Sequence, residues 1–148
     1  MPGIIVGIDG SSHSRRALDW AISEAAIRRA PLTVLTVQQV MRSFWAGPMI
    51  YPEDTELAEH ACKIAQDETD GALGKLAEDA RPPAVTVLAV PGLPAETILD
   101  VAKDADMIVV GSRGAGGFKK LLMGSVASQV THHAHIPVVI PAEESSLP

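Results

Sequence analysis

The sequence predicts an open, parallel α/β sheet covered by helices on both faces. Three observations carry this. Five short apolar runs rich in Val, Ile and Leu recur along the 148 residues. Longer segments with helical periodicity separate them. The short runs do not alternate apolar with polar residues, the pattern of strands covered on both sides.

The first run is residues 4–8, Ile4 to Ile8. A helix is expected over 13–30, with Ala17, Leu18, Ala21, Ile22 and Ala25 on one stripe. The second run is 32–37. A helix over 53–80 follows, turning Leu57, Ala61, Ile64, Leu73, Leu76 and Ala80 inward. Gly71 and Gly74 weaken it by about 1 kcal/mol each relative to Ala. The third run is 84–90, followed by a stripe of Ala95, Ile98, Leu99 and Ala102. The fourth is 107–110, followed by Val126, Ala127, Val130 and Ala134, and the last is 137–140. Strands alternating with helices in this way imply right-handed crossovers.

Residues 38–52 are the one long irregular stretch. Phe44, Trp45 and Tyr51 lie there, three of the five aromatics. The stretch is either a lid or partner contact or a loop folded onto the helix after it. Beyond Pro141 the tail is polar and expected to fray.

At 47% hydrophobic and 3% aromatic, the core must be built from Ala, Val, Ile and Leu, and one domain over 1–148 is expected. The net charge of −6 disfavours nonspecific binding to nucleic acid or anionic lipid. It leaves room for a small anion held by backbone dipoles. Cys62 is the single cysteine, so an internal disulfide is excluded, and its mid-helix position suggests packing rather than reactivity. No apolar stretch nears the ~20 residues of a membrane span. The N-terminus has no basic n-region of a signal peptide. A cytoplasmic chain is expected.

The densest signal follows the fourth run: Gly111, Ser112, Arg113 and Gly114, then Gly124, Ser125 and Val126 after nine residues. It leaves a strand and opens a helix. The first amides of a helix have no partner within it, and the helix dipole favours an anion there. Glycines permit positive φ and let a phosphate approach the backbone. Ser125 can cap the helix or donate its hydroxyl to a phosphate. Each bond to a charged oxygen contributes about 1.5–3 kcal/mol, so a few amides suffice for micromolar binding. The loop is not a Walker A loop, because no Gly-Lys-Ser/Thr ending is present, and Gly116 and Gly117 do not complete a dinucleotide fingerprint. The alternative is a set of flexible turns with Ser125 as a simple cap.

Asp9 and Gly10 close the first run. Ligands in open α/β sheets bind beyond the carboxyl ends of strands, where the strand order reverses. An Asp beside polyphosphate is repulsive by about 4 kcal/mol at 4 Å and an effective dielectric near 20. A Mg²⁺ ion between them reverses the sign. Asp9 is therefore a candidate metal or ribose contact; the alternative is an N-cap for the first helix, for which Ser11, Ser12 and Ser14 compete.

Together these loops resemble the universal stress protein family. The family spacing Gly-x2-Gly-x9-Gly-Ser/Thr is matched by Gly111, Gly114, Gly124 and Ser125. Residues 5–11, 91–98 and 133–140 are similar to its opening strand, a mid-chain turn and its closing helix and strand. The resemblance covers nearly the whole chain. It implies a five-stranded parallel sheet in the order 3-2-1-4-5, of the adenine nucleotide alpha hydrolase-like type, and a homodimer joined through the last strand, 137–140. It also implies ATP binding, with Gly7, Ile8 and Asp9 lining the nucleotide and Val37 flanking adenine. Gly111, Ser112, Arg113 and Gly114 would hold ribose and phosphate, and Gly124, Ser125, Val126 and Ala127 the phosphates. Ala127 departs from the hydroxyl residue common in the family.

The resemblance implies an ATP-binding regulator or sensor in a stress response. The alternatives are a slow ATPase or autophosphorylating enzyme, and a nucleotide-free interaction module. His132, His133 and His135 gather at a helix end, where the dipole favours them, without a nearby carboxylate or cysteine to make a metal site. No Gly-x-Ser-x-Gly elbow supports a hydrolase triad. Lys119 and Lys120 either steer a phosphate toward the glycine loop or, the plainer reading, form a solvated pair.

Overall fold

The computed structural model describes residues 3–39, 52–112 and 124–142. Most of the aromatic stretch 38–52, the loop from Arg113 to Met123 with Lys119 and Lys120, and most of the tail lie outside the described residues.

Strand β1 (Ile4–Ile8) leads to α1 (Ser12–Arg28), β2 (Leu32–Gln39) and α2 (Pro52–Gly74). A single 3-10 turn at Glu78–Ala80 precedes β3 (Val85–Gly92), α3 (Pro94–Val101), β4 (Met107–Val110), α4 (Ser125–His133) and β5 (Val138–Val139). The five strands form one sheet in the order β3-β2-β1-β4-β5, and every pairing is parallel. This is the order that the resemblance implied.

Two cores flank the sheet. On one side Val6, Ile8, Val34 and Val109 pack with Leu18, Ile22 and the small residues Ala17, Ala21 and Ala25 of α1. Those three alanines, spaced one turn apart and fully buried, let α1 approach the sheet closely. On the other side Ile5, Leu35, Ile108 and Val110 pack with Ala95 and Ile98 of α3 and Ala127 and Val130 of α4. Helices α1 and α2 thus cover one face, and α3 and α4 the other. The chain changes face between β3 and β4, so the strand order reverses between β1 and its neighbour β4.

Four elements depart from expectation. Helix α1 ends at Arg28 rather than residue 30. Arg29 adopts a left-handed conformation with φ of 53°, and the N–H of Ala30 reaches back to the Ala25 carbonyl at 2.9 Å. Pro31 follows, and the residue before a proline is biased away from helical conformation.

Helix α2 stops at Gly74, not at residue 80, and the remainder is only the 3-10 turn. Its inward face also differs. Leu57 and Ile64 are about half exposed and Ala80 is exposed, whereas Ala65 and Thr69 are buried. Thr69 reaches burial by donating its hydroxyl to the Ala65 carbonyl at 2.7 Å, which leaves a methyl for the core.

Strand β3 is not covered on both faces. It is an edge strand, its exposure alternates, and it runs two residues further than expected, through Pro91 and Gly92. At the other edge β5 is only Val138–Val139, shorter than 137–140, although the Pro137 carbonyl also accepts from the Ile108 N–H at 2.9 Å.

Candidate functional site

The crevice between the ends of β1 and β4 collects most of the predicted residues. Gly7 pairs with Val110 in register, which brings Ile8 and Asp9 alongside Gly111 and Ser112. Each strand end then feeds a helix, α1 from β1 and α4 from β4.

The β1–α1 loop satisfies itself. Ser11, not Asp9, is the N-cap: its Oγ accepts from the Ser14 N–H at 3.1 Å. Asp9 acts one step earlier, accepting from the Ser11 N–H at 2.9 Å through Oδ1. The buried Ser14 ties the loop from below. Its Oγ donates to the Ser11 carbonyl at 3.1 Å and accepts from the Asp9 N–H at 3.2 Å. Gly10, with φ of 85°, makes the turn that a side chain would disfavour. These bonds occupy donors at the start of α1 and present the exposed Asp9 at the crevice mouth.

Helix α4 begins differently. Its N-cap is Gly124, with extended backbone and no side-chain cap. Ser125 is therefore the first helical residue rather than the cap, and it is exposed. The Gly124 N–H donates to the Ser112 carbonyl, and the Gly124 carbonyl accepts from Ser128 at 2.9 Å. The N–H groups of Ser125, Val126 and Ala127 have no partner among the described residues. Three donors at a helix start, with the positive end of its dipole, favour an anion. The Ala127 side chain faces the core at 2% exposure, so Ala127 offers this site only its backbone N–H.

Gly7 and Gly111 act through space rather than through positive φ. Gly124 has φ of −70°. Among the described residues only Gly10 and Gly92 are glycines in the positive range. Gly111 is a contact residue: a β-carbon there would stand 2.8 Å from the His13 carbonyl carbon. Gly7 makes room for Ile98 of α3, whose Cδ1 would lie 3.1 Å from an added β-carbon. The Ile8 side chain is buried under α1, so at this site only its backbone is available. Val37, partly exposed, packs near the top of the α3–α4 side. Arg113 and Gly114 lie outside the described residues.

Sequence reasoning missed His13. Its Nδ1 lies 3.4 Å from the Ser112 Oγ, across a separation of 99 residues. Only the pairing of β1 with β4 brings the two together, so local pattern carried no signal. The His132 and His133 rings meet edge to face at 5.3 Å. Among the described residues no group of three or more His, Cys, Asp and Glu is placed to hold a metal ion. No described helix is long and apolar enough to cross a membrane.

Fold and site define an open doubly wound α/β domain with a glycine-capped helix N-terminus at its switch point, whose first amides have no partner among the described residues. The model of the universal stress protein family matches residues 2–140, and the chain belongs to that family. Universal stress protein Rv2623 of Mycobacterium tuberculosis (strain ATCC 25618 / H37Rv) is 34% identical over 145 residues, covering 98% of this chain and 49% of its own. A universal stress protein of Mycolicibacterium smegmatis (strain ATCC 700084 / mc(2)155) is 34% identical over 147 residues, covering 93% and 47%. The chain thus spans about half the length of these curated relatives. Among solved structures, a universal stress protein in complex with cAMP shares 25% identity at a TM-score of 0.64, over 95% of both chains. The protein MJ0577, the subject of a structure-based assignment of biochemical function, shares 25% identity at a TM-score of 0.71, over 99% of both chains.

Proposed function

We propose that this chain binds an adenine nucleotide, ATP in the first place, and serves as a nucleotide-dependent regulator or sensor in a stress response. One observation carries the proposal: the N–H groups of Ser125, Val126 and Ala127 at the β1–β4 switch point have no partner among the described residues. Membership of the family and a solved relative holding cAMP support an adenine ligand. Gly7 and Val37 would flank the nucleoside, and Gly111 to Gly114 the ribose and phosphate. The first turn of α4, from Gly124 to Ala127, would take the terminal phosphates.

Asp9 fits a Mg²⁺ ion that arrives with the phosphates. It is an exposed carboxylate at the crevice, and Mg²⁺ commonly takes one or two protein carboxylates alongside phosphate oxygens and water. Mg²⁺ there would offset the repulsion between carboxylate and polyphosphate. We further propose a cytoplasmic homodimer joined through the short edge strand β5, which has no neighbouring strand on its outer side among the described residues.

Mass spectrometry of small molecules released by heating freshly purified protein tests the ligand. ATP or another adenine nucleotide in near-stoichiometric amount is the expected result. Protein that purifies empty and takes up no adenine nucleotide on addition contradicts the proposal. Sedimentation velocity tests the homodimer, and a monomer at high micromolar concentration contradicts it.

A further inference from the structure

Ser112 stands where three elements meet. Its Oγ faces Nδ1 of His13, on the first turn of α1, at 3.4 Å. Its carbonyl accepts from the N–H of Gly124, the N-cap of α4. The residue before it, Gly111, is packed directly against the His13 and Ser14 backbone. Helices α1 and α4 belong to opposite faces of the sheet. Their N-termini are nevertheless linked, through Ser112, by one side-chain contact and one backbone bond.

We infer that His13 is a positioning residue for the phosphate end of the site, a role that rests on the nucleotide reading given above. His13 orients Ser112, and the Ser112 carbonyl fixes the start of α4, where three amides without a partner among the described residues would take the phosphate. The 3.4 Å separation is longer than a tight hydrogen bond. The close packing of Gly111 on the His13 backbone keeps the pair in register despite that.

The pair also governs what Ser112 can offer a ligand. A serine hydroxyl has one proton to donate and two lone pairs to accept with. With Nδ1 bare, Ser112 donates to His13 and can only accept from the ligand, which suits a ribose hydroxyl. With a proton on Nδ1, His13 donates, and the serine proton is left for a phosphate oxygen. The role at the phosphate end therefore calls for the form with a proton on Nδ1, which leaves the Ser112 proton for a phosphate oxygen.

The test is calorimetric titration of ATP and of adenosine into wild-type protein, H13A, H13N, S112A and the H13A/S112A double variant. ATP affinity falls about tenfold in H13A, the scale of one hydrogen bond to a charged group, while adenosine affinity stays within about twofold. H13N, whose amide reaches Ser112 from the same position, recovers most of the loss. The double variant binds ATP no more weakly than S112A, because the two residues act as one unit. H13A that binds ATP like the wild type overturns the role of His13. So does equal loss of ATP and adenosine, or H13N as weak as H13A. Wild-type protein that takes up neither ligand overturns the nucleotide reading and the role of His13 with it. If H13A does not fold, the imidazole ¹⁵N shifts of His13 in wild-type and S112A protein decide: a displacement is expected, and identical shifts overturn the link.

Discussion

Gly111 lies against the backbone of His13, so that an added β-carbon would sit 2.8 Å from the His13 carbonyl carbon and 2.9 Å from its oxygen. The end of β4 and the first turn of α1 therefore touch main chain to main chain. Nothing at the end of a flexible side chain can yield there. Gly111→Ala must push the two elements apart, at a cost of about 1–3 kcal/mol. For a chain of this size that lowers Tm by roughly 2–4 °C per kcal/mol. A thermal denaturation scan checks it, and an unchanged Tm contradicts the contact.

Gly7 meets a softer neighbour, the tip of the buried Ile98. Gly7→Ala is expected to cost about 1 kcal/mol through crowding, and Ile98→Val about 1 kcal/mol through a lost methyl group. In combination the new methyl fills the space vacated by Cδ1. Denaturant unfolding of the double variant is expected to show a loss smaller than the sum by about 0.5 kcal/mol or more. Strict additivity contradicts this packing.

The Ser11 cap sets a third expectation. Ser11→Ala removes the acceptor of the Ser14 N–H and lowers stability by about 1 kcal/mol. Asp9→Asn keeps an oxygen to accept from Ser11 and is expected to cost less than half as much. Urea unfolding of both variants separates them, and a reversed order contradicts the assignment of Ser11 as cap.

Asp9 has a separate, ligand-dependent signature. If Mg²⁺ bridges its carboxylate to bound phosphate, Asp9→Asn weakens ATP binding when Mg²⁺ is present. With the metal chelated, the same substitution leaves ATP binding equal or tighter, because a like-charge repulsion has been removed. A titration in each condition decides. Equal loss in both conditions contradicts metal bridging.

Much of this fold was legible because its signals are local. The apolar runs at 4–8 and 107–110 became central strands buried along almost their whole length. The alanine stripe of α1 turned inward as its spacing predicts. Misreadings arose where neighbours decide. Leu57 and Ile64 fit a helical stripe by period, yet the surface available to α2 selects Ala65 and Thr69 instead. The run at 84–90 carries no mark of being an edge strand; its place in the sheet makes it one. The glycine spacing falls at the end of β4 and the start of α4, as its place after an apolar run suggested, while the reason for Gly111 is a neighbour almost a hundred residues away. His13 was invisible for the same reason.

Backbone amide shifts of Ser125, Val126 and Ala127 test the central claim most directly. In ¹H–¹⁵N spectra, ATP is expected to move all three, and adenosine, which lacks phosphates, is expected to leave them nearly in place. If the three stay unmoved when the protein is saturated with ATP, the start of α4 is not an anion site and the proposed function fails with it.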